Sequence, residues 1–187
     1  WPALAIALML GWAGVAAAAD ESVPSAPPPV KMNTTADHGK FKELQQTFKS
    51  GPEVTKACLS CHTEAARQVH RTKHWTWESL DPKTGQVRGK KNIINNYCTA
   101  VVSNEKDCMA CHAGYGWKDS TFDFKVEKNV DCLICHDATG TYRKLPGDAG
   151  HPVYKRTEFP PGSGKFVEPI DLKKVAQTVG KPSRSNC

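Results

Sequence analysis

The sequence is poor in what ordinarily holds a soluble domain together. Of its 187 residues only 8% are aromatic, methionine occurs three times, and large aliphatic side chains are sparse after the first 34 residues. No stretch yields a succession of alternating strands, which excludes a β-sandwich or barrel. The basic surplus, a formal net charge of +6, is scattered, and nothing resembles a nucleic-acid-binding constellation. A chain with so much loop and so thin an apolar pattern needs another source of cohesion, and covalent cofactors would supply it.

Cysteine and histidine are what the chain does have: eight of the first and seven of the second. Six of the cysteines and three of the histidines form Cys-x-x-Cys-His, at Cys58-Leu-Ser-Cys61-His62, Cys108-Met-Ala-Cys111-His112 and Cys132-Leu-Ile-Cys135-His136. At these residue frequencies chance predicts roughly 0.01 occurrences of this c-type haem signature. Two thiols at that spacing can each form a thioether with one porphyrin edge. The histidine that follows then directs its imidazole at the iron. A structural zinc site would want a second ligand pair at regular distance and would leave the adjacent histidine superfluous. A thioredoxin-like pair is expected once, in a βαβ setting, and disulfide scaffolding leaves the repeated histidine unexplained. The residues therefore predict haem c at three complete sites, with His62, His112 and His136 as proximal iron ligands.

Each iron then needs a second axial ligand or an open position. His38, His70, His74 and His151 remain as candidate distal ligands. His70 and His74, at i and i+4, are expected on one helix face, reaching neighbouring haems because a straight helix cannot fold back across its own. The interval from Cys108 to Cys132 is less than half of that from Cys58 to Cys108, so the second and third sites should lie close together and form a path for electrons. Cys98, in "NNYCTAVVSN", falls outside every motif. It reads as a buried thiol, half of a disulfide, or a reactive sulfur beside a catalytic haem, and the residues alone favour the inert thiol.

The N-terminal "WPALAIALMLGWAGVAAAADES" has an apolar stretch, Leu4 to Leu10, followed by small residues and an Ala17-Ala18-Ala19 cleavage signal before Asp20. Residues 1–19 read as a signal peptide that has lost its basic start, with an uncleaved anchor as the rival, since roughly 20 apolar residues span a bilayer. Export removes cytosolic readings of the cysteines and implies a periplasmic location, with the membrane touched only through the signal segment if it is uncleaved. Residues 20–34 form a Pro-rich linker. Residues 35–187 form one cytochrome-like domain, incomplete at its C-terminal side, where Cys187 stands as the first cysteine of a truncated fourth motif. Within it we expect a helix capped by Thr35 or Asp37, carrying Phe41, Leu44 and Phe48 on one face and ended by Gly51-Pro52. A second helix is expected from Ala57 through Trp75, a turn over Asp81–Gln86, loops at "YRKLPGDAGHP" and "EFPPGSGKF", and a last helix over Ile170–Gly180.

The stretches "HGKFKELQQTFKSGPEVTKACLSCHTEAA", "HWTWE", "GKKNIINNYC", "CHAGYGWKDSTFDF", "VDCLICHDATGTY" and "FPPGSGK" resemble the N-terminal part of octahaem cytochromes c of the tetrathionate reductase family, from His38 to Cys187. The resemblance implies a mainly α fold with extensive loops, organised around closely packed covalent haems, in a periplasmic respiratory protein with mostly bis-histidine irons. It further implies a fourth haem opening at Cys187, one haem with a lysine axial ligand, for which Lys155 and Lys181 are the candidates, and a non-haem cysteine near the catalytic site, a role Cys98 could fill. The expected function is electron transfer coupled to reduction of a small sulfur or nitrogen oxyanion of the tetrathionate, nitrite or hydroxylamine type. The expected partners are a redox protein or quinol-linked donor and the small anionic substrate. The alternative is a pure electron carrier with every haem six-coordinate.

Overall fold

The computed structural model describes residues 36–92 and 104–186; the signal-like segment, the linker, Cys98 and Cys187 lie outside the described residues. The region expected to be one capped helix is instead two 3-10 turns, His38–Lys40 and Lys42–Leu44. Asp37 caps only the first, accepting from the Gly39 amide, and Phe41 between them is extended. Local side-chain hydrogen bonding of this kind competes with a continuing helix. The apolar face survives in part: Leu44 and Phe48 are buried, while Phe41 stays exposed.

Gly51-Pro52 opens a helix rather than ending one. Helix α1, Gly51–Leu59, has its proline in the first turn, where the missing N–H is no loss and the fixed φ is already helical. Gly51 has a second reason for its identity: a Cβ there would collide with the Tyr115 ring, so the helix start lies directly on Tyr115. The expected long helix from Ala57 to Trp75 is broken into α1, α2 (Ala65–His70) and α3 (Lys73–Thr76). The first break is the Cys61-His62 turn. The second is at Thr72, which is extended and donates its hydroxyl to the Val69 carbonyl at 2.7 Å.

The turn at Asp81–Gln86 is present as the tip of a hairpin, β1 (Ser79–Leu80) with β2 (Val87–Arg88). Asp81 fixes it by accepting from the Lys83 amide at 2.9 Å, the short-range bonding that makes Asp a turn residue. Helices α4 (Glu105–Cys108) and α5 (Leu133–His136) are single turns carrying the second and third motifs. The loop "EFPPGSGKF" is the tip of a second hairpin, β3 (Thr157–Glu158) with β4 (Phe166–Val167). The last expected helix is α6, Leu172–Gln177, with Asp171 as its cap, accepting from Lys174 N at 3.0 Å.

Among the described residues three small apolar clusters replace a single core. The largest joins Leu44, Phe48 and Val54 to Leu133, Tyr142, Leu172 and Val175, so α1, α5 and α6 pack around the third motif. Trp77, Met109 and Trp117 form a second cluster, and Ala66, Trp75 and Val130 a third. Two of the three rest on tryptophan, which is how a chain with few aliphatic residues still buries area. Among the described residues no helix is long and apolar enough to cross a membrane.

Candidate functional site

Every Cys-x-x-Cys-His sits where a short helix meets a turn. Cys58 lies in the last turn of α1, and the Cys61 and His62 amides both donate back to the Cys58 carbonyl, at 3.2 and 2.9 Å. Cys108 ends α4, with Cys111 and His112 in the turn that follows, and Cys132 caps α5, which ends at His136. One helical turn brings two cysteines three apart to the same side, and none of these six cysteines is in a disulfide. The arrangement is what two thioethers to one porphyrin edge require.

The motifs are also close to each other. Tyr115 N donates to Asn129 O at 2.8 Å and Asp131 N to Ala113 O at 2.9 Å, so the strand-like segment after the second motif pairs with the one before the third. The short interval between Cys108 and Cys132 predicts this. It does not predict the approach of the first motif to the third. The neighbouring Cys132 thiol lowers the pKa of Cys58, and the Cys58 thiol, then burial, raises that of Cys132. The Cys132 Sγ lies 3.8 Å from the Thr55 hydroxyl. Thr55 ties the same two segments together, donating its buried hydroxyl to Val130 O at 2.6 Å.

The three motif histidines and the four spare ones fall into distinct arrangements. The His38 and His62 rings have centroids 6.4 Å apart and planes 18° from parallel, too far apart for a van der Waals stack. His38 Nδ1 is buried without a partner. Two near-parallel imidazoles at that separation, one following a Cys-x-x-Cys pair, would leave room for a haem iron between them.

His136 holds its Nδ1 2.7 Å from Gly180 O, the backbone contact that fixes the tautomer of a ligating histidine and leaves Nε2 for the metal. His112 has its pKa pushed down to about 4, with burial the main cause. It is therefore neutral at pH 7, the state a metal ligand needs. Trp77 covers it, with ring centroids 3.8 Å apart. Helix α3 thus docks on the second motif while the His74 ring stays exposed.

His70 stacks on Trp75 at 4.6 Å with its Nε2 buried and unpartnered, and burial lowers its pKa. Because Thr72 breaks the helix between them, His70 and His74 do not share a helix face, contrary to their i, i+4 spacing. His151 is held by Tyr154, whose hydroxyl lies 3.3 Å from Nδ1, and burial lowers its pKa too. It lines a cleft of about 560 Å³ with Lys106, Lys118, Asp148, Tyr154 and Lys155. Lys155 is thus beside a cavity, whereas Lys181 follows Gly180, the residue that holds His136.

Sequence reasoning missed a buried polar cluster between the second and third motifs. Lys144 pairs with Asp131 at 3.0 Å, neither side chain being exposed. The Tyr115 and Tyr142 hydroxyls donate to Asp131 Oδ1 at 2.7 and 3.1 Å. Burial raises the pKa of both tyrosines well above the usual phenol value. Neither charge stands in a motif, so the only available signal was an Asp immediately before a haem cysteine. Trp77 Nε1, buried and unpartnered, is a free donor at the second motif, fitted to an acceptor on a bound group. Among the described residues no three His, Cys, Asp or Glu side chains converge on a metal site of their own.

Comparison with known proteins agrees with this chemistry. Residues 31–137 match the family described as cytochrome c554 and c-prime. The chain is 24% identical over 190 residues to an uncharacterized protein of Archaeoglobus fulgidus, across 81% of this chain and 62% of that one. It superimposes with a TM-score of 0.68 on the crystal structure of octaheme cytochrome c from Shewanella oneidensis, at 50% identity, covering 81% of this chain and 32% of that one. The chain spans less than two thirds of the length of either relative.

Proposed function

The chain belongs to the cytochrome c554 and c-prime family, and from that premise we propose that it binds haem c at its three Cys-x-x-Cys-His motifs and carries electrons to a small sulfur or nitrogen oxyanion. Bound there, haem c supplies reversible one-electron chemistry at iron. The observation that carries the haem reading is the His38–His62 pair, with ring centroids 6.4 Å apart. Cys58 and Cys61, Cys108 and Cys111, and Cys132 and Cys135 would anchor the groups covalently. His62, His112 and His136 would be the proximal ligands, with His38 the candidate distal ligand beside His62. His70, His74 and His151 are the distal candidates for the neighbouring haems of this chain.

The reductase reading rests on the cleft. Lys106, Lys118, Lys155 and His151 line it with Asp148 as the opposing charge, a balance that draws in small anions such as tetrathionate or nitrite, with hydroxylamine as an uncharged substrate of the same reaction type. Lys155 is the lysine there that could serve as an axial ligand. A periplasmic setting, with electrons delivered by a redox protein or a quinol-linked donor, completes the reading. Cys98 and Cys187, as a catalytic sulfur and the start of a fourth haem site, belong to the same proposal. The spare imidazoles favour a second reading, a pure electron carrier, because they can close the sixth position of every iron in this segment.

A pyridine haemochrome assay on full-length protein matured with haem should give a haem for each motif; a result near zero would end both readings. Cyanide or nitrite should then perturb the spectrum of one haem in a reductase, and an insensitive spectrum assigns the carrier. His38→Ala should add one further ligand-sensitive haem without lowering the haem count. An unchanged ligand response would remove His38 from the iron.

A further inference from the structure

The binding reading leaves a buried charge pair without a role. Lys144 Nζ lies 3.0 Å from Asp131 Oδ2 with both side chains fully buried. Its second bond, at 2.6 Å, is to the carbonyl of His112, the proximal histidine of the second motif. Asp131 immediately precedes Cys132, and its Oδ1 accepts from the Ile134 amide inside the third motif at 3.1 Å. The positive end of the pair therefore rests on one motif and the negative end on the next. Stability alone does not account for it, since buried pairs replaced by apolar residues of similar volume are often neutral or better. What such a pair does have is a field, little screened by salt in a dry interior, with its direction fixed by the Tyr115 and Tyr142 hydroxyls on the carboxylate.

We infer that the Lys144–Asp131 pair gives electron flow a built-in direction between the second and third motifs. Lys144 favours the reduced iron at Cys108–His112, and Asp131 favours the oxidised iron at Cys132–His136. One electron leaves the third site as the second takes it up, so one iron is oxidised while its neighbour is reduced and no other reactant is needed. The inference rests on both motifs holding haem.

The test is a redox titration of the full-length, haem-loaded protein, followed by NMR of the haem methyl resonances. The second haem is identified by contacts to Trp77, which covers His112. The third is identified by contacts to Thr55, whose hydroxyl is beside the Cys132 sulfur. In the Lys144→Met/Asp131→Asn double variant the midpoint of the second haem should fall, that of the third should rise, and the gap should narrow. Tyr142→Phe, which removes a donor from Asp131 while leaving the pair in place, should move the third midpoint down more than the second and widen the gap. Midpoints that shift together, or a gap that does not respond in either variant, would overturn the directional field. A haem count short at either motif would instead overturn the haem reading itself, so the two failures are told apart by the same samples.

Discussion

The segment around the first motif and the junction between the second and third are held by opposite means. Residues 51–76 are three short helices broken at Cys61-His62 and Thr72, fastened by small apolar clusters and by exposed ion pairs from Arg67 to Glu64 and Glu127 at 3.1 and 3.0 Å. The junction is fastened by directional bonds out of reach of water: the Lys144–Asp131 pair, two tyrosine hydroxyls and a backbone ladder from Ala113–Tyr115 to Asn129–Asp131. Gly150, at φ +84°, lets its turn approach so closely that a Cβ there would meet the Gly114 carbonyl, a conformation suited to glycine. Apolar contacts hold a segment without fixing its angle, whereas satisfied polar networks specify one arrangement. The junction is therefore a preformed cradle, and the first segment is the part that, on the haem reading, a covalently bound group would order.

The sharpest way to break this contrast is Asp131→Ala. It leaves Lys144 buried without its counter-charge and strips two tyrosines of their acceptor, so stability should fall by about 3–5 kcal/mol, read by denaturant unfolding of the haem-loaded protein. The Lys144→Met/Asp131→Asn protein should recover most of that loss, because no charge is then stranded. If the single variant were as stable as its parent, the junction would not be a polar cradle.

How much of this was legible in the sequence follows from what each feature depends on. The three Cys-x-x-Cys-His motifs are local strings, and local strings are readable. So are the Asp81 turn and the Asp171 cap, whose chemistry lies within a few residues. The helix capped by Thr35 or Asp37 and ended by Gly51-Pro52, and the unbroken helix from Ala57 through Trp75, are not what the structure holds, because Phe41 and Thr72 are extended beside local side-chain hydrogen bonds that periodicity does not register. Gly51-Pro52 reads as a stop from sequence but opens α1, because proline suits a helix start as well as it excludes a helix interior. The Lys144–Asp131 pair and the Cys58–Cys132 contact join residues distant in sequence, and no pattern within a window encodes them. The pairing of His38 with His62 was likewise open among four spare histidines until the fold set their separation.

Alkali should sharpen the same contrast. Tyr115 and Tyr142 have their pKa raised above 10.0 by burial first and by the Asp131 charge second. Above pH 10.0 an unfolded chain loses these phenolic protons while the folded chain keeps them. The folded state then binds more protons, and its stability must fall as pH rises. Hydrogen exchange above that pH should show the junction amides of residues 113–115 and 129–131 losing protection before those of α1. Tyr142→Phe should move the loss to higher pH. Earlier loss in α1 would contradict the assignment.

A smaller effect is expected at the seam between the two regions. Thr55 donates to the Val130 carbonyl at 2.6 Å and is almost completely buried. Thr55→Val keeps the shape and removes the hydroxyl, leaving a buried carbonyl unsatisfied, which should lower stability by about 1–3 kcal/mol. Thr55→Ser keeps the donor and should lose less. A valine variant as stable as wild type would mean that apolar packing alone joins the first motif to the third.

The smallest effect belongs to the most conspicuous pairing of the first segment. Arg67 bonds both Glu64 and Glu127, and these charges hold its pKa up, yet the guanidinium is fully exposed. Exposed pairs gain little in high dielectric, must fix long side chains, and are screened by salt. Arg67→Ala should therefore leave the unfolding midpoint unchanged within error, at low and at physiological salt, with the haem spectrum intact. A clear loss that disappears on adding salt would show that surface charge, and not covalent haem and apolar contact, anchors α2 to residues 127–129. In that case the division between a polar cradle and a haem-ordered first segment would have to be redrawn.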